Sequence, residues 1–142
     1  MSRSLEARWA TPEDWGFLAA VGVTKLPEAV LRRKIAAQEV IVACDERACL
    51  GYVFVDHLWS YVPFIATIWV VESERGRGVG RTMLAFLEAN ARAEGNEVIY
   101  SSSQCDEVEP QRWHRRVGFE ECGILSGHNE GVGEVFFRKR LF

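Results

Sequence analysis

The sequence predicts an α+β domain: a mixed, mostly antiparallel sheet of about six to seven strands with helices on both faces. Three observations carry this. Short runs rich in β-branched and aromatic residues recur along the chain, at residues 40–44, 49–55, 65–71, 98–100 and 134–139. Helical periodicity falls between some of these runs and not others, so the sheet cannot be all parallel. No repeat, low-complexity tract or linker interrupts the 142 residues, so 1–142 reads as one domain, long enough to bury a proper core.

Residues 5–9 alternate and give a first strand. Thr11-Pro12-Glu13-Asp14 then supplies a hydroxyl N-cap, a proline at the first helical position and acids in the first turn, so a helix should run from Pro12 to about Val21. A second helix is expected over residues 28–38, with Val30, Leu31, Ile35 and the stem of Lys34 turned inward. Residues 40–44 and 49–55 form a hairpin about Asp45-Glu46-Arg47. Residues 57–62 lead to Pro63 and the central strand. There Ile65, Ala66, Thr67, Ile68, Trp69, Val70 and Val71 form a near-continuous apolar run, which reads as a strand covered on both faces.

After this strand comes Glu72-Ser73-Glu74-Arg75-Gly76-Arg77-Gly78-Val79-Gly80-Arg81, and then a helix whose Val79, Met83, Phe86, Leu87 and Ala91 share one apolar face. Gly95 provides its left-handed cap. Val98, Ile99 and Tyr100 open a fifth strand that turns polar at Ser101-Ser102-Ser103. Residues 106–110 form a loop, and a short helix beginning near Pro110 runs to Arg116, is stopped by Gly118, and is packed back by Phe119. Residues 120–125 make a sixth strand, 126–131 a connection, and 134–139 a largely apolar seventh. A terminal strand over residues 135–141, if exposed, offers an edge for pairing in a homodimer.

Composition excludes several classes. The net charge of −3 argues against nucleic acid as a partner, although arginine is concentrated at 75, 77 and 81 and again at 112, 115 and 116, which suits a small polyanion. No apolar run is long enough to cross a membrane, and the first six residues do not form a signal peptide, so a cytoplasmic protein without a membrane partner is expected. Cys44, Cys49, Cys105 and Cys122 show no C-x-x-C and no metal-like pairing with the histidines, so no metal is implied. Cys44 and Cys49 flank the hairpin turn and could be neighbours, but buried thiols suit a reducing compartment better.

The chemistry lies in the glycine-arginine turn. Glycines at 76, 78 and 80 allow positive φ and close approach of a ligand, and they aim several N–H groups into one concavity at the positive end of the next helix. That is an anion site suited to phosphate or pyrophosphate, and guanidinium groups grip phosphate oxygens in pairs. A P-loop would need a Gly-Lys pair, which the chain lacks. A dinucleotide fingerprint counted from Gly76 would need glycine where Arg81 stands.

Arg75-Gly76-Arg77-Gly78-Val79-Gly80 resembles the acetyl-CoA signature [Q/R]-x-x-G-x-[G/A] of the GNAT superfamily of N-acetyltransferases. The segment Gln111-Arg112-Trp113-His114-Arg115-Arg116-Val117-Gly118-Phe119 resembles the short helix ending in Gly-Phe that follows in that family. The likeness covers most of the chain and is weakest at the N-terminus. It implies a single GNAT-type domain whose parallel fourth and fifth strands splay apart to admit the acyl-pantetheine arm. Acetyl-CoA is the implied co-substrate, and a primary amine of a small molecule or a protein or peptide is the implied acceptor, attacking the thioester directly. By the same resemblance the N–H groups of Arg75, Gly76, Arg77, Gly78, Val79 and Gly80 would hold the pyrophosphate with Arg81 near it, and backbone groups of Ile68, Trp69 and Val70 would pair with the pantetheine arm. Arg112, Arg115 and Arg116 are either a solvated basic face or, in part, ligands of the 3′-phosphate.

Two departures from the family pattern bear on catalysis. Where many members carry a tyrosine acid stands His114, which is either the general acid or a packing residue; where many carry an asparagine stands Glu107. Glu72 lies beside the pyrophosphate turn and is misplaced for a general base, which stays open among Glu107, Glu130, Glu134 and a water held by Ser101 to Ser103. Trp59 and Tyr61 either line an aromatic acceptor wall or are half-buried strand residues. The alternative to an enzyme is a GNAT-fold protein that binds acyl-CoA as a sensor or interaction module.

Overall fold

Strand-forming and helix-forming segments alternate in the computed structural model, which describes residues 4–21 and 26–142. The loop between the first two helices falls partly on residues 22–25, outside the described ones. The elements are β1 (Glu6–Trp9), α1 (Trp15–Ala20), α2 (Glu28–Ala36), β2 (Val40–Cys44), β3 (Cys49–Leu58), β4 (Val62–Val70), α3 (Val79–Ala93), β5 (Val98–Gln104), α4 (Val108–Arg116), β6 (Glu120–Leu125) and β7 (Glu134–Arg140). The strands form an open seven-stranded sheet in the order β1-β2-β3-β4-β5-β7-β6. β4 and β5 are parallel, joined at Phe64 with Tyr100 and Ile65 with Ser101, while β1–β2, β2–β3, β5–β7 and β6–β7 are antiparallel.

Two compact units are distinguishable, Met1–Val55 with Thr67–Leu87 and Asp56–Ala66 with Glu88–Phe142. In the first, alternation on β2 and β3 divides the side chains between two layers. Val40, Val42, Tyr52 and Phe54 pack with Leu18 of α1 and with Leu31 and Ile35 of α2. On the opposite face Gly51 lies against Val79 and Met83 of α3, so close that a Cβ there would stand 2.7 Å from the Trp69 carbonyl oxygen. Lys34 is buried as its stem placement predicts, and its ammonium donates to the Val55 carbonyl at 2.8 Å. The expected single helix after Thr11 is instead a 3-10 turn, Pro12–Asp14, leading into α1. Asp14 explains the break: its carboxylate takes the Thr11 N–H at 2.8 Å and both Nη atoms of Arg8 at 2.7 and 2.9 Å, which fixes the first turn to β1. That guanidinium holds the Asp14 carboxyl below its ordinary range.

In the second unit Ile99, Ser101 and Ser103 of β5 are buried with His114 of α4, and with Val117, Phe119, Val135 and Phe137. Tyr100, Ser102 and Gln104 occupy the other face and stay half-buried. The C-terminal strand is tied down by Leu141, whose N–H donates to Glu97 O at 2.9 Å and whose carbonyl accepts from Arg92 Nε at 2.8 Å.

Several expectations are corrected. The central strand is not covered throughout: Ala66 and Thr67 are exposed and Ile68, Trp69 and Val70 half-buried, lying beyond the two β4–β5 pairs. β7 is not an edge on which a dimer could pair, because β6 returns beside it and leaves β7 between β5 and β6. Trp59 and Tyr61 are not half-buried strand residues on one face. Trp59 and Ser60, at φ 53° and 72°, form the two-residue turn between β3 and β4, and Trp59 and Tyr61 are 70% and 66% exposed. Cys44 and Cys49 face each other across the β2–β3 hairpin as a disulfide rather than as buried thiols.

Candidate functional site

The glycine-arginine turn begins where β4 stops. Val71 donates to Leu50 O at 2.8 Å, a 3-10 turn covers Glu72–Glu74, and the chain then passes through Gly76 and Gly78, both at φ 84°, into α3. Both glycines need the left-handed region, where a side chain is strained. Among the described residues, no atom beyond the chain neighbours lies within 4 Å of where a Cβ would stand on either, so the turn is open to them on that side. Thr82 donates through both its N–H and its hydroxyl to Gly78 O, at 2.9 and 2.8 Å, which fixes the carbonyl within the helix. The first-turn N–H groups of Val79, Gly80 and Arg81 have no partner within α3 and lie at the positive end of a 15-residue helix.

The side chains divide their work. Val79 is buried, so only its backbone is offered to a ligand; Arg81 is exposed. Arg77 pairs with Glu74, and Arg75 reaches back through Nε to Val70 O at 3.1 Å. Along β4, the Val71 N–H and the Trp69 carbonyl point toward β3. Because backbone direction alternates along a strand, Ile68 and Val70 present their polar groups to the opposite edge. Of the three residues expected to pair with a pantetheine arm, Ile68 and Val70 face that edge and Trp69 faces β3.

His114 lies in the other unit and is 3% exposed. Its Nδ1 is 2.7 Å from Pro110 O, which can only accept, so Nδ1 carries the proton; Nε2 then accepts from Ser101 Oγ at 2.7 Å. The ring stacks on Phe137 at 4.4 Å and meets Trp113 and Phe119 edge-on. Burial pushes its pKa below the ordinary value; the Pro110 hydrogen bond opposes this and Arg115 adds to it. A neutral imidazole with both nitrogens engaged joins α4 to β5.

The carboxylates considered as bases differ in setting. Glu72, Glu107 and Glu130 are exposed. Glu134 is half-buried at the start of β7, with Ser102 Oγ donating to Oε2 at 2.7 Å and Asn129 Nδ2 donating to Oε1 at 2.8 Å. Strand alternation separates the three serines: Ser101 and Ser103 turn toward α4, and only Ser102 turns toward Glu134. Sequence reasoning missed Asn129 and the Ser101–His114 bond. A signal for the bond was present, since a serine at alternate spacing on a strand beneath a helical histidine is a ready partner.

Comparison with known proteins shows the family and the fold. The model of the acetyltransferase (GNAT) family matches residues 6–119. An L-methionine sulfoximine/L-methionine sulfone acetyltransferase from Pseudomonas paraeruginosa is 31% identical over 104 residues, covering 70% of this chain. The chain spans 58% of that relative's length. Among solved structures, a GNAT-family acetyltransferase from Bacillus cereus superposes with a TM-score of 0.83 at 17% identity, over 96% of this chain and 97% of its own. YncA from Salmonella typhimurium, solved with its cofactor acetyl-CoA, gives 0.80 at 16% identity, over 98% and 95%. At such identities these two likenesses speak for the fold alone.

Proposed function

The chain belongs to the GNAT acetyltransferase family, and on that premise we propose that it is an acetyl-CoA-dependent N-acetyltransferase acting on a primary amine of a small molecule or peptide. The observation that carries this is the pair of left-handed glycines, Gly76 and Gly78, opening onto the N-terminus of α3. Bare backbone, unpaired N–H groups and an exposed arginine at one place fit the diphosphate of CoA. The N–H groups from Gly76 to Arg81 bind it, Arg81 adds charge, and the Ile68 and Val70 edge of β4 orients the arm. Arg75 and Arg77 hold the turn through Val70 and Glu74.

Bound acetyl-CoA supplies a thioester: the amine nitrogen forms the new C–N bond, the C–S bond breaks, CoA departs as thiolate and the amine proton passes to water. A thiol of pKa ~8.5 leaves near neutrality with little need of a dedicated acid. An alkylamine of pKa ~10.4 is neutral in about one molecule per 2,500 at pH 7, so deprotonating and holding the amine is the harder task. The Pseudomonas relative acetylates L-methionine sulfoximine and sulfone, which makes small amino acids the first acceptors to try.

Calorimetric titration with acetyl-CoA, followed by thiol release over a panel of amines, tests the reading. Binding near micromolar with release on at least one amine is expected. Gly78→Asp, which sets a carboxylate against the diphosphate, should abolish binding; a variant that binds like the parent would remove the donor site from this turn. A second reading, an acyl-CoA sensor without turnover, is favoured by the internal engagement of both His114 nitrogens. It predicts acetyl-CoA binding with no release on any amine.

A further inference from the structure

One face of the sheet in the unit Asp56–Ala66 with Glu88–Phe142 carries a second constellation, which the donor turn does not use. Phe64 and Phe136 stack at 5.7 Å, and Trp59 meets Tyr100 edge-on at 6.1 Å. Register places Phe64 opposite Tyr100, Phe136 opposite Ser102 and Glu134 opposite Gln104, so these side chains share the face turned away from His114. At its end, Ser102 and Asn129 fix one oxygen each of the Glu134 carboxylate. Two neutral donors set the orientation of the carboxylate and leave a lone pair on each oxygen. No cation lies within ion-pairing distance of Glu134 among the described residues. Phe64, Tyr100, Ser102, Asn129, Glu134 and Phe136 all keep partial access to solvent.

An oriented carboxylate without a counter-ion, bordered by aromatic rings, is complementary to an organic cation: the carboxylate takes the N–H donors and the ring quadrupoles favour the positive charge. A merely structural carboxylate would tie the β6–β7 connection to β5 without needing aromatic rings beside it. We propose that this face, anchored by Glu134, binds the acceptor of the reaction, and that the acceptor is a primary alkylammonium carrying a flat or apolar group. The inference rests on the acetyltransferase reading above and narrows its substrate class. Glu134 holds the cationic nitrogen, Ser102 and Asn129 position Glu134, and the rings take the apolar part.

The test uses 2-phenylethylamine, a cation at pH 7.5 with a flat ring, and aniline, which is neutral there. Each is titrated into the protein without acetyl-CoA and assayed by thiol release with it. Glu134→Gln should weaken phenylethylamine binding and raise its KM by about 10- to 150-fold, the worth of a hydrogen bond to a charged group, with acetyl-CoA affinity kept. Aniline should change less than twofold. Glu134→Asp, which retains the charge, should recover part of the phenylethylamine affinity. Equal binding by the parent and Glu134→Gln, or Asp no better than Gln, would overturn the proposal and leave Glu134 as a latch on the connection. A parent that binds acetyl-CoA but not phenylethylamine would overturn the substrate class alone. A parent that binds no acetyl-CoA would bring down the acetyltransferase reading and this inference with it.

Discussion

His114 shows how one side chain can be conspicuous in a sequence while its partners decide its role. Its place before Gly118-Phe119 suggests an acid, yet Pro110 and Ser101 occupy both nitrogens. The same burial makes the residue a determinant of acid stability. Its folded pKa is lowered mainly by burial, while in the unfolded chain it titrates near ~6.5. Between the two values only the unfolded chain binds the proton. Its contribution is therefore full above ~6.5 and declines as pH falls toward the folded value, by at most about 1.4 kcal/mol per pH unit. Urea unfolding at pH 7.5 and 5.0 should show a larger loss for the parent than for His114→Leu; parallel losses would exclude the imidazole as the source. Asp14 acts in a separate, lower window, because its depressed pKa supplies stability that is lost only below about 4. Among the carboxylates, sequence alone left Glu134 level with Glu107 and Glu130, because what distinguishes it is register: Ser102 reaches it only once β5 and β7 are paired.

At the scale of elements, the hairpins, the glycine turn and α3 were legible because each rests on local chemistry, and Gly95, at φ 84°, ends α3 as its position suggests. The β3–β4 turn was not. Trp59 and Ser60 take positive φ where glycine or asparagine is the usual choice, so no turn signal marked them. The burial of β4 was also misjudged, because an apolar run reports what a strand tolerates and not whether a neighbour continues alongside it. Gly51 gave no signal of its importance either. A methyl group there meets a backbone carbonyl at 2.7 Å, which cannot yield as a side-chain end would. Gly51→Ala should destabilise by about 1–3 kcal/mol. Gly16→Ala, in α1 with nothing among the described residues beyond its own helix backbone within 4 Å of the new methyl, should stabilise by about 0.5–1 kcal/mol. Melting temperatures shifted in opposite directions would confirm the contrast; equal shifts would refute it.

For the molecule as a whole, the α+β class and mixed sheet followed from the spacing of strands and helices. The order of strands did not, since nothing in residues 120–140 states that β7 inserts between β5 and β6. The Cys44–Cys49 bridge was similarly out of reach, because spacing permits the pair without requiring it. Its effect on the whole unfolded chain is small: residues only five apart in sequence close a short loop, worth about 2 kcal/mol by loop entropy. Alkylation of the denatured, unreduced protein should label Cys105 and Cys122 alone, and reduction should lower the unfolding free energy by about that amount. Four labelled cysteines would show the pair to be thiols.

The two left-handed glycines also make the donor turn a question of chirality. A residue at φ 84° is strained for an L-amino acid and relaxed for its mirror image, so D-alanine placed at position 78 by chemical ligation should leave folding intact. Its methyl group would still deny a ligand the bare backbone. L-alanine offends both requirements and D-alanine only one, so the difference in acetyl-CoA affinity between the two diastereomeric proteins separates what the fold demands of this turn from what the ligand demands.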